Sequence, residues 1–195
     1  MSIRLKKLVY AALIGAVYAA LTMVSPLSYG PIQLRVSEIL CILPFFFPAA
    51  TGGLVVGCAI SNTISTAGVP DIVFGSLATL LAGLCTCAAG KSFRLSLSSV
   101  KGGDGNVVKN GVEERSEKFW GASILACSMP VLFNAPIVGA VLSFTLTRDE
   151  FLQGMLIFGL QVGAGEAIVM GALALPIMRY LMTHDAVRSF LAGLS

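Results

Sequence analysis

Charged residues are scarce in this chain. Lysine, arginine, aspartate and glutamate make up 12% of its 195 residues, whereas a soluble globular domain usually carries about 25%. Hydrophobic residues make up 56%. This balance excludes an ordinary soluble domain and indicates a chain that lies within a lipid bilayer. At about 20 residues per crossing, the length allows roughly six spans and no separate soluble catalytic domain.

The usual signatures of catalysis and of metal or cofactor binding are also missing. The five cysteines all lie in apolar segments, and their odd number argues against a disulfide framework or a metal site. The chain has no G-x-x-x-x-G-K-[ST] run, so it has no phosphate-binding loop with which to use ATP. The single histidine, His184, lies near the C-terminal end and belongs to no Ser-His-Asp arrangement. We therefore predict no catalytic residue, no metal ligand and no cofactor.

Apolar segments recur along the whole chain. They cover residues 8–24, 36–47, 52–64, 71–89, 119–146 and 151–181. The second and third are short, because at a rise of 1.5 Å per residue they reach only about 20 Å of the roughly 30 Å hydrocarbon core. We predict an all-α membrane protein with six transmembrane helices, forming one domain over residues 1–195.

The basic residues predict the orientation of this bundle. Three of the 13 lysines and arginines precede residue 8, six lie in the charged segment 91–118, and two lie near the C-terminal end. With six spans, these three regions fall on one side, which the positive-inside rule makes cytoplasmic. Both termini are therefore expected inside. The segment 91–118 cannot bury its charges, and we predict that it is a flexible cytoplasmic loop.

Five polar residues lie in or beside the apolar segments: Glu38, Asn62, Asp71, Asn134 and Glu166. An ionisable group at mid-membrane costs about 2.5–3.5 kcal/mol on insertion scales, so it faces the protein interior or a cavity. In the predicted topology most of these residues lie in the outer half of the membrane, which indicates an outward-facing substrate pocket. Asn62 and Asp71 also fit helix caps or interface residues. Asn134 and Glu166 also fit structural hydrogen bonds between neighbouring helices.

Two further candidates, Gln33 and Arg35, come just before Glu38. Together with Ser37 they alternate as in an extended segment, which suits a lid over the pocket. Arg35 has an alternative role as the ion-pair partner of Glu38.

Small residues form two adjacent stripes on the first span. The stripes are Ala12, Ala16 and Ala20, and Ala11, Gly15 and Ala19. Small residues at this spacing let another helix approach closely. The approaching helix belongs either to this chain or to a partner, and the spacing leaves both open.

Several runs of the sequence resemble the QueT family. They are QLRVSE at 33–38, LPFF at 43–46, DIVFGSLATL at 71–80, PVLFN at 130–134, IVG at 137–139 and GE at 165–166. The match extends in order over nearly the whole chain, although the charged segment 91–118 is longer than is typical of the family. The family consists of S components, the substrate-binding subunits of energy-coupling factor (ECF) transporters, and takes up queuosine precursors.

The resemblance implies a six-helix S-component bundle and partners that this chain does not contain: a transmembrane coupling subunit and two ATPase subunits. It also implies that the coupling subunit docks on the first helix, at Ala12, Gly15, Ala16 and Ala20. The implied substrate is a 7-deazaguanine derivative or queuine, bound by Gln33, Arg35, Glu38, Asn62, Asp71, Asn134 and Glu166.

Two other classes of protein remain open. One is a stand-alone secondary transporter of a purine-like or other small polar metabolite, coupled to protons through Glu166. The other is a membrane-embedded enzyme, which would need a nucleophile or metal ligands among the buried polar residues, where only carboxylates and amides are found.

Overall fold

The computed structural model describes residues 2–25, 28–29, 33–100 and 108–183, with the side chains of 94–100, 108–118 and 182–183 left out. Within these ranges all regular secondary structure is helical. The α-helices are α1 (Ile3–Val24), α2 (Leu43–Phe46), α3 (Ala50–Ser61), α4 (Val69–Val100), α5 (Val108–Leu146), α6 (Phe151–Val169) and α7 (Leu175–Thr183). Short 3₁₀ segments are Val36–Ile42, Asn62–Ile64 and Arg148–Glu150, and a π-helical turn, Met170–Ala174, joins α6 to α7.

Four helical stretches are long and apolar enough to cross a membrane: Ile3–Val24, Val69–Phe93, Phe119–Leu146 and Arg148–Leu181. The prediction of an all-α membrane protein is thus confirmed. Val36–Phe46 and Ala50–Ile64 are also apolar but are shorter than 18 residues. At 1.5 Å per residue neither reaches across a hydrocarbon core of about 30 Å. Six crossings and the cytoplasmic position of both termini therefore stay predictions.

The segment 91–118, predicted to be a loop, is largely helical. Helix α4 continues through residues 91–100, and α5 already begins at Val108. The loop prediction was wrong for these residues because charge alone does not end a helix. No proline or glycine interrupts 92–100, so the helix runs past the apolar part of the span. Residues 101–107, and the predicted cytoplasmic tail beyond residue 183, lie outside the described part of the chain.

Glycines allow the closest helix contacts. A Cβ added at Gly15 of α1 would lie 2.5 Å from the carbonyl oxygen of Gly53 in α3, and one at Gly57 would lie 2.5 Å from the Gly15 oxygen. Helices α5 and α6 meet in the same way, since a Cβ at Gly139 would lie 2.7 Å from the Cα of Gly159. Such backbone-to-backbone packing is the usual basis of helix association in lipid.

The largest apolar core lies at one end of the bundle. It consists of Ile42, Phe45, Phe46, Ala89, Phe93, Ala126, Cys127, Met170, Ala174 and Met178. A smaller apolar cluster at the other end of α5 and α6 contains Ala67, Val138, Val141, Leu142 and Val162. Asn134 on α5 and Glu166 on α6 lie between these two clusters along their helices.

Two cation–π contacts mark the ends of this arrangement. Arg148 lies 4.9 Å from the ring centre of Phe144, and Arg179 lies 5.4 Å from that of Trp120. Trp120 and Phe144 are 24 residues apart on α5, which corresponds to about 36 Å. Aromatic and basic residues are common at the two membrane interfaces. Asn134, between these markers, therefore lies near the middle of the apolar span Phe119–Leu146.

Candidate binding site

All seven polar residues predicted to bind substrate are buried, with at most 5% of their surface exposed: Gln33, Arg35, Glu38, Asn62, Asp71, Asn134 and Glu166. The fold brings them into three connected groups rather than one open pocket. One group surrounds a small cavity between α5 and α6, one joins the end of α3 to the start of α4, and one connects α1 to the segment 36–42.

The cavity contains four of the predicted residues. Its lining consists of Gln33, Arg35, Asn134 and Glu166 with the apolar side chains of Val138 and Val162. Asn134 Nδ2 donates a short hydrogen bond to Glu166 Oε1, across α5 and α6. The cavity is small, about 10 Å³, which is room for about one water molecule. Ligand pockets usually measure about 300–1,000 Å³, so a larger ligand requires these side chains to move apart.

Local sequence features explain how the backbone reaches this geometry. Gly165 lets the segment before Glu38 come close, because a Cβ there would lie 2.5 Å from the carbonyl oxygen of Gln33. Pro130 and Pro136 stand on either side of Asn134 within α5, and each removes a helix hydrogen bond. A π-helical turn, Met170–Ala174, comes soon after Glu166 in the chain, and such turns are frequent at functional sites.

The second group joins α3 to α4. Asn62 Nδ2 donates to the backbone oxygen of Asp71 at 3.0 Å, and Ser65 Oγ donates to Asp71 Oδ2 at 2.5 Å. Arg35 Nη2 lies 3.9 Å from the same Asp71 oxygen. These bonds close the connection between the two helices. Ser65 is a member of this group that the sequence analysis missed.

Glu38 belongs to a third group, away from the cavity lining. Tyr18 Oη donates to Glu38 Oε1 at 2.6 Å, and Cys41 Sγ donates to Glu38 Oε2 at 2.9 Å. The alternative prediction, that Arg35 pairs with Glu38, is wrong. Among the residues that the structure describes, the acidic residue that pairs with Arg35 is Asp71. The sequence analysis missed Tyr18, although a tyrosine hydroxyl in an otherwise apolar span was a usable signal.

The electrostatics of the site centre on Arg35. Burial by itself lowers the pKa of its guanidinium, but the surrounding groups, Asp71 and Glu38 among them, raise this pKa overall. Arg35 therefore stays a buried cation between the Asp71 group and the cavity. Seven buried polar side-chain atoms have no hydrogen-bond partner within the described residues, and four of them belong to the predicted site residues: Arg35 Nη2, Asn62 Oδ1, Asp71 Oδ1 and Glu166 Oε2. Because buried polar groups are nearly always paired, these atoms indicate where a ligand or a water is bound.

The two small-residue stripes of α1 face different surroundings. Ala12, Ala16 and Ala20 are exposed on the outside of the bundle. Gly15, predicted to share their docking face, is buried against Gly53. Its assignment to the coupling-subunit interface is therefore wrong, because the position is already filled by another helix of the same chain.

These features define a multi-pass α-helical membrane protein with a polar site buried among its helices. A family model described as QueT transporter matches residues 8–183, and the chain belongs to that family. The resemblance inferred from the sequence is thereby confirmed, and it places the protein in the cell membrane, among transporters rather than enzymes.

One curated relative is the "Queuosine precursor transporter QueT" of Lactococcus lactis subsp. cremoris (strain MG1363). It is 43% identical over 77 residues, which cover 38% of this chain and 45% of the relative. The match thus spans less than half of the relative's length. No solved structure matches the chain.

Proposed function

We propose that this chain is the membrane-embedded substrate-binding subunit of an ECF-type importer that takes up a queuosine precursor, a 7-deazaguanine derivative or queuine. The observation that carries the proposal is a carboxylate–amide pair, Glu166 and Asn134, buried beside a cavity within the apolar spans of a member of the QueT transporter family. A buried ionisable group in a membrane protein is by default a functional group.

The chemistry of the site suits such a base. A 7-deazaguanine ring presents adjacent N–H donors next to a carbonyl acceptor, and a carboxylate accepts two donors at once. The precursor that carries a 7-aminomethyl group is also cationic. The candidate residues include three buried carboxyl groups, Glu38, Asp71 and Glu166, but one guanidinium, that of Arg35, which leaves an excess of acidic groups to meet an added positive charge.

Partner subunits supply the energy in this proposal. The sequence contains no phosphate-binding loop, so ATP would be hydrolysed by the two ATPase subunits. The exposed stripe Ala12, Ala16 and Ala20 supports docking of the coupling subunit, because small residues let a partner helix approach closely. Large apolar side chains beside the stripe, Leu13 and Val17 among them, are also exposed.

Uptake measurements test the proposal. The chain is expressed in a host without ECF subunits, alone or with a coupling subunit and its two ATPases, and the uptake of a labelled precursor is followed. We expect binding without accumulation for the chain alone and concentrative uptake for the complete set. Accumulation by the chain alone would favour a secondary transporter, for which the unpaired Glu166 Oε2 is a candidate proton carrier.

A further inference from the structure

Two side chains that line the cavity each carry one buried polar atom without a hydrogen-bond partner. Glu166 Oε2 is an acceptor, and Arg35 Nη2 is a donor whose nearest described acidic atom, Asp71 Oδ2, is 3.9 Å away. Both residues are at least 95% buried, so bulk water does not reach these atoms. An unpaired acceptor and an unpaired donor on one cavity call for a ligand that presents the opposite pair.

The residues that line the cavity restrict that ligand further, although they have to move apart to admit more than one water molecule. Val138 on α5 and Val162 on α6 supply the apolar part of its lining, while the polar groups Gln33, Arg35, Asn134 and Glu166 supply the rest. Two branched apolar side chains suit the faces of a flat ring, whose polar edge then meets the polar groups. A ring that carries N–H next to C=O, a cyclic amide or lactam, matches the free acceptor and donor.

We propose that Glu166 and Arg35 form a clamp for the lactam edge of a planar heterocycle. The Glu166 carboxylate accepts hydrogen bonds from the ring N–H and from a neighbouring amino group, and Arg35 donates to the carbonyl oxygen. Asn134 holds the other carboxylate oxygen of Glu166 and thereby orients it. The identity of the ring rests on the proposed function. The clamp adds which side chains recognise that ring.

The same observations favour Glu166 over Glu38 for the clamp. Both of its oxygens already accept hydrogen bonds, from Tyr18 and Cys41, and the residue does not line the cavity. Of the two buried glutamates, only Glu166 meets the ring.

The experiment is a titration of the purified full chain in detergent with two ligands, 7-deazaguanine and 7-deazahypoxanthine, which lacks only the amino group. The wild type should bind 7-deazaguanine more tightly. Glu166→Gln replaces the free oxygen by a donor, so affinity for 7-deazaguanine should fall by about tenfold to a hundredfold. The loss for 7-deazahypoxanthine should be smaller, so that the preference between the ligands disappears. Arg35→Lys should weaken both ligands by a similar factor, since both carry the carbonyl.

Comparing the two ligands in each variant separates recognition from folding. Glu38→Gln should keep the preference for the amino group even if overall affinity drops, and Glu150→Gln is the matched control at an exposed carboxylate. If Glu166→Gln does not fold, Glu166→Asp, which shortens the side chain by one methylene, should abolish the preference instead. The clamp alone is overturned if the preference for the amino group survives in the Glu166 variants, or if it is lost in Glu38→Gln. A wild type that binds neither ligand overturns the clamp and the proposed substrate together.

Discussion

The two faces of α1 are built from similar small residues but have opposite surroundings. Ala11 and Gly15 are buried against α3, where Gly53 and Gly57 let the two backbones touch. Ala16, one position along from Gly15, is exposed on the outside. The comparison teaches that a stripe of small residues predicts a close helix contact but not the identity of the partner. The glycines of the second helix decide which stripe packs inside.

The buried face of α1 also carries polar contacts that lead to the candidate binding site. Tyr18 donates to Glu38, and Thr22 Oγ1 lies 2.6 Å from Ser37 Oγ. Both contacts hold Ser37 and Glu38 in place, and these two residues follow shortly after Gln33 and Arg35 in the chain. The buried face therefore holds one side of the cavity in place, while the exposed face remains free to contact another protein.

The largest effect is expected from a pair of tryptophan substitutions, one on the buried face and one on the exposed face. Gly15→Trp forces a large ring into a backbone contact with Gly53, and we expect no folded protein. Ala16→Trp should fold and bind ligand as the wild type does, but should abolish uptake with the complete ECF set, because it blocks close docking. Size-exclusion profiles, ligand titration and uptake distinguish these outcomes. Loss of ligand binding in Ala16→Trp would show that this face also packs internally.

A smaller effect is expected at the hydrogen bond between α1 and Glu38. Tyr18→Phe removes one donor to a buried carboxylate and should lower the free energy of unfolding by about 1.5–3 kcal/mol. Denaturation in detergent measures the change. The same substitution in a Glu38→Leu background should have little effect, because the acceptor is already gone. An equal loss in both backgrounds would mean that Tyr18 acts through packing alone.

Neighbouring glycines of α3 test the contact between α1 and α3. A Cβ at Gly53 would overlap the carbonyl oxygen of Ala11, whereas one at Gly52 meets nothing within 4 Å. Gly53→Ala should therefore destabilise the protein by about 1–3 kcal/mol. Gly52→Ala should stabilise it by up to about 1 kcal/mol through helix propensity. Thermal unfolding of the two variants side by side measures the contrast, and equal effects would contradict the packing described for α1.

The smallest effect is expected at Thr22. Thr22→Val keeps the shape but removes the hydroxyl next to Ser37, which should cost about 0.5–1.5 kcal/mol of stability. Thr63→Val is the control, because the hydroxyl of Thr63 is exposed and bonds only to Ile60 O in its own turn. A Thr22 variant as stable as this control would show that the contact with Ser37 contributes nothing.

The sequence predicted the residues of the buried polar site better than their roles. All seven candidates are buried, since a polar side chain in a membrane span has to face protein or a cavity. Their partners were not predictable, because Tyr18 and Glu38 are 20 residues apart and Asn134 and Glu166 are 32 apart. Such contacts depend on how helices dock, which no local pattern records.

By itself the sequence determined the class of the protein, the apolar helices and the family, because few charges and long apolar runs allow only a chain buried in lipid. The helical continuation through 91–100 was decided by backbone hydrogen bonding, which charge patterns do not report. Tertiary structure alone decided that Gly15 packs inside, that Arg35 pairs with Asp71 and that Glu38 is occupied by Tyr18. The physical reason is that the cost of exposing a polar side chain to lipid is a property of that residue, whereas helix docking and pairing depend on distances set by the packing of several helices at once.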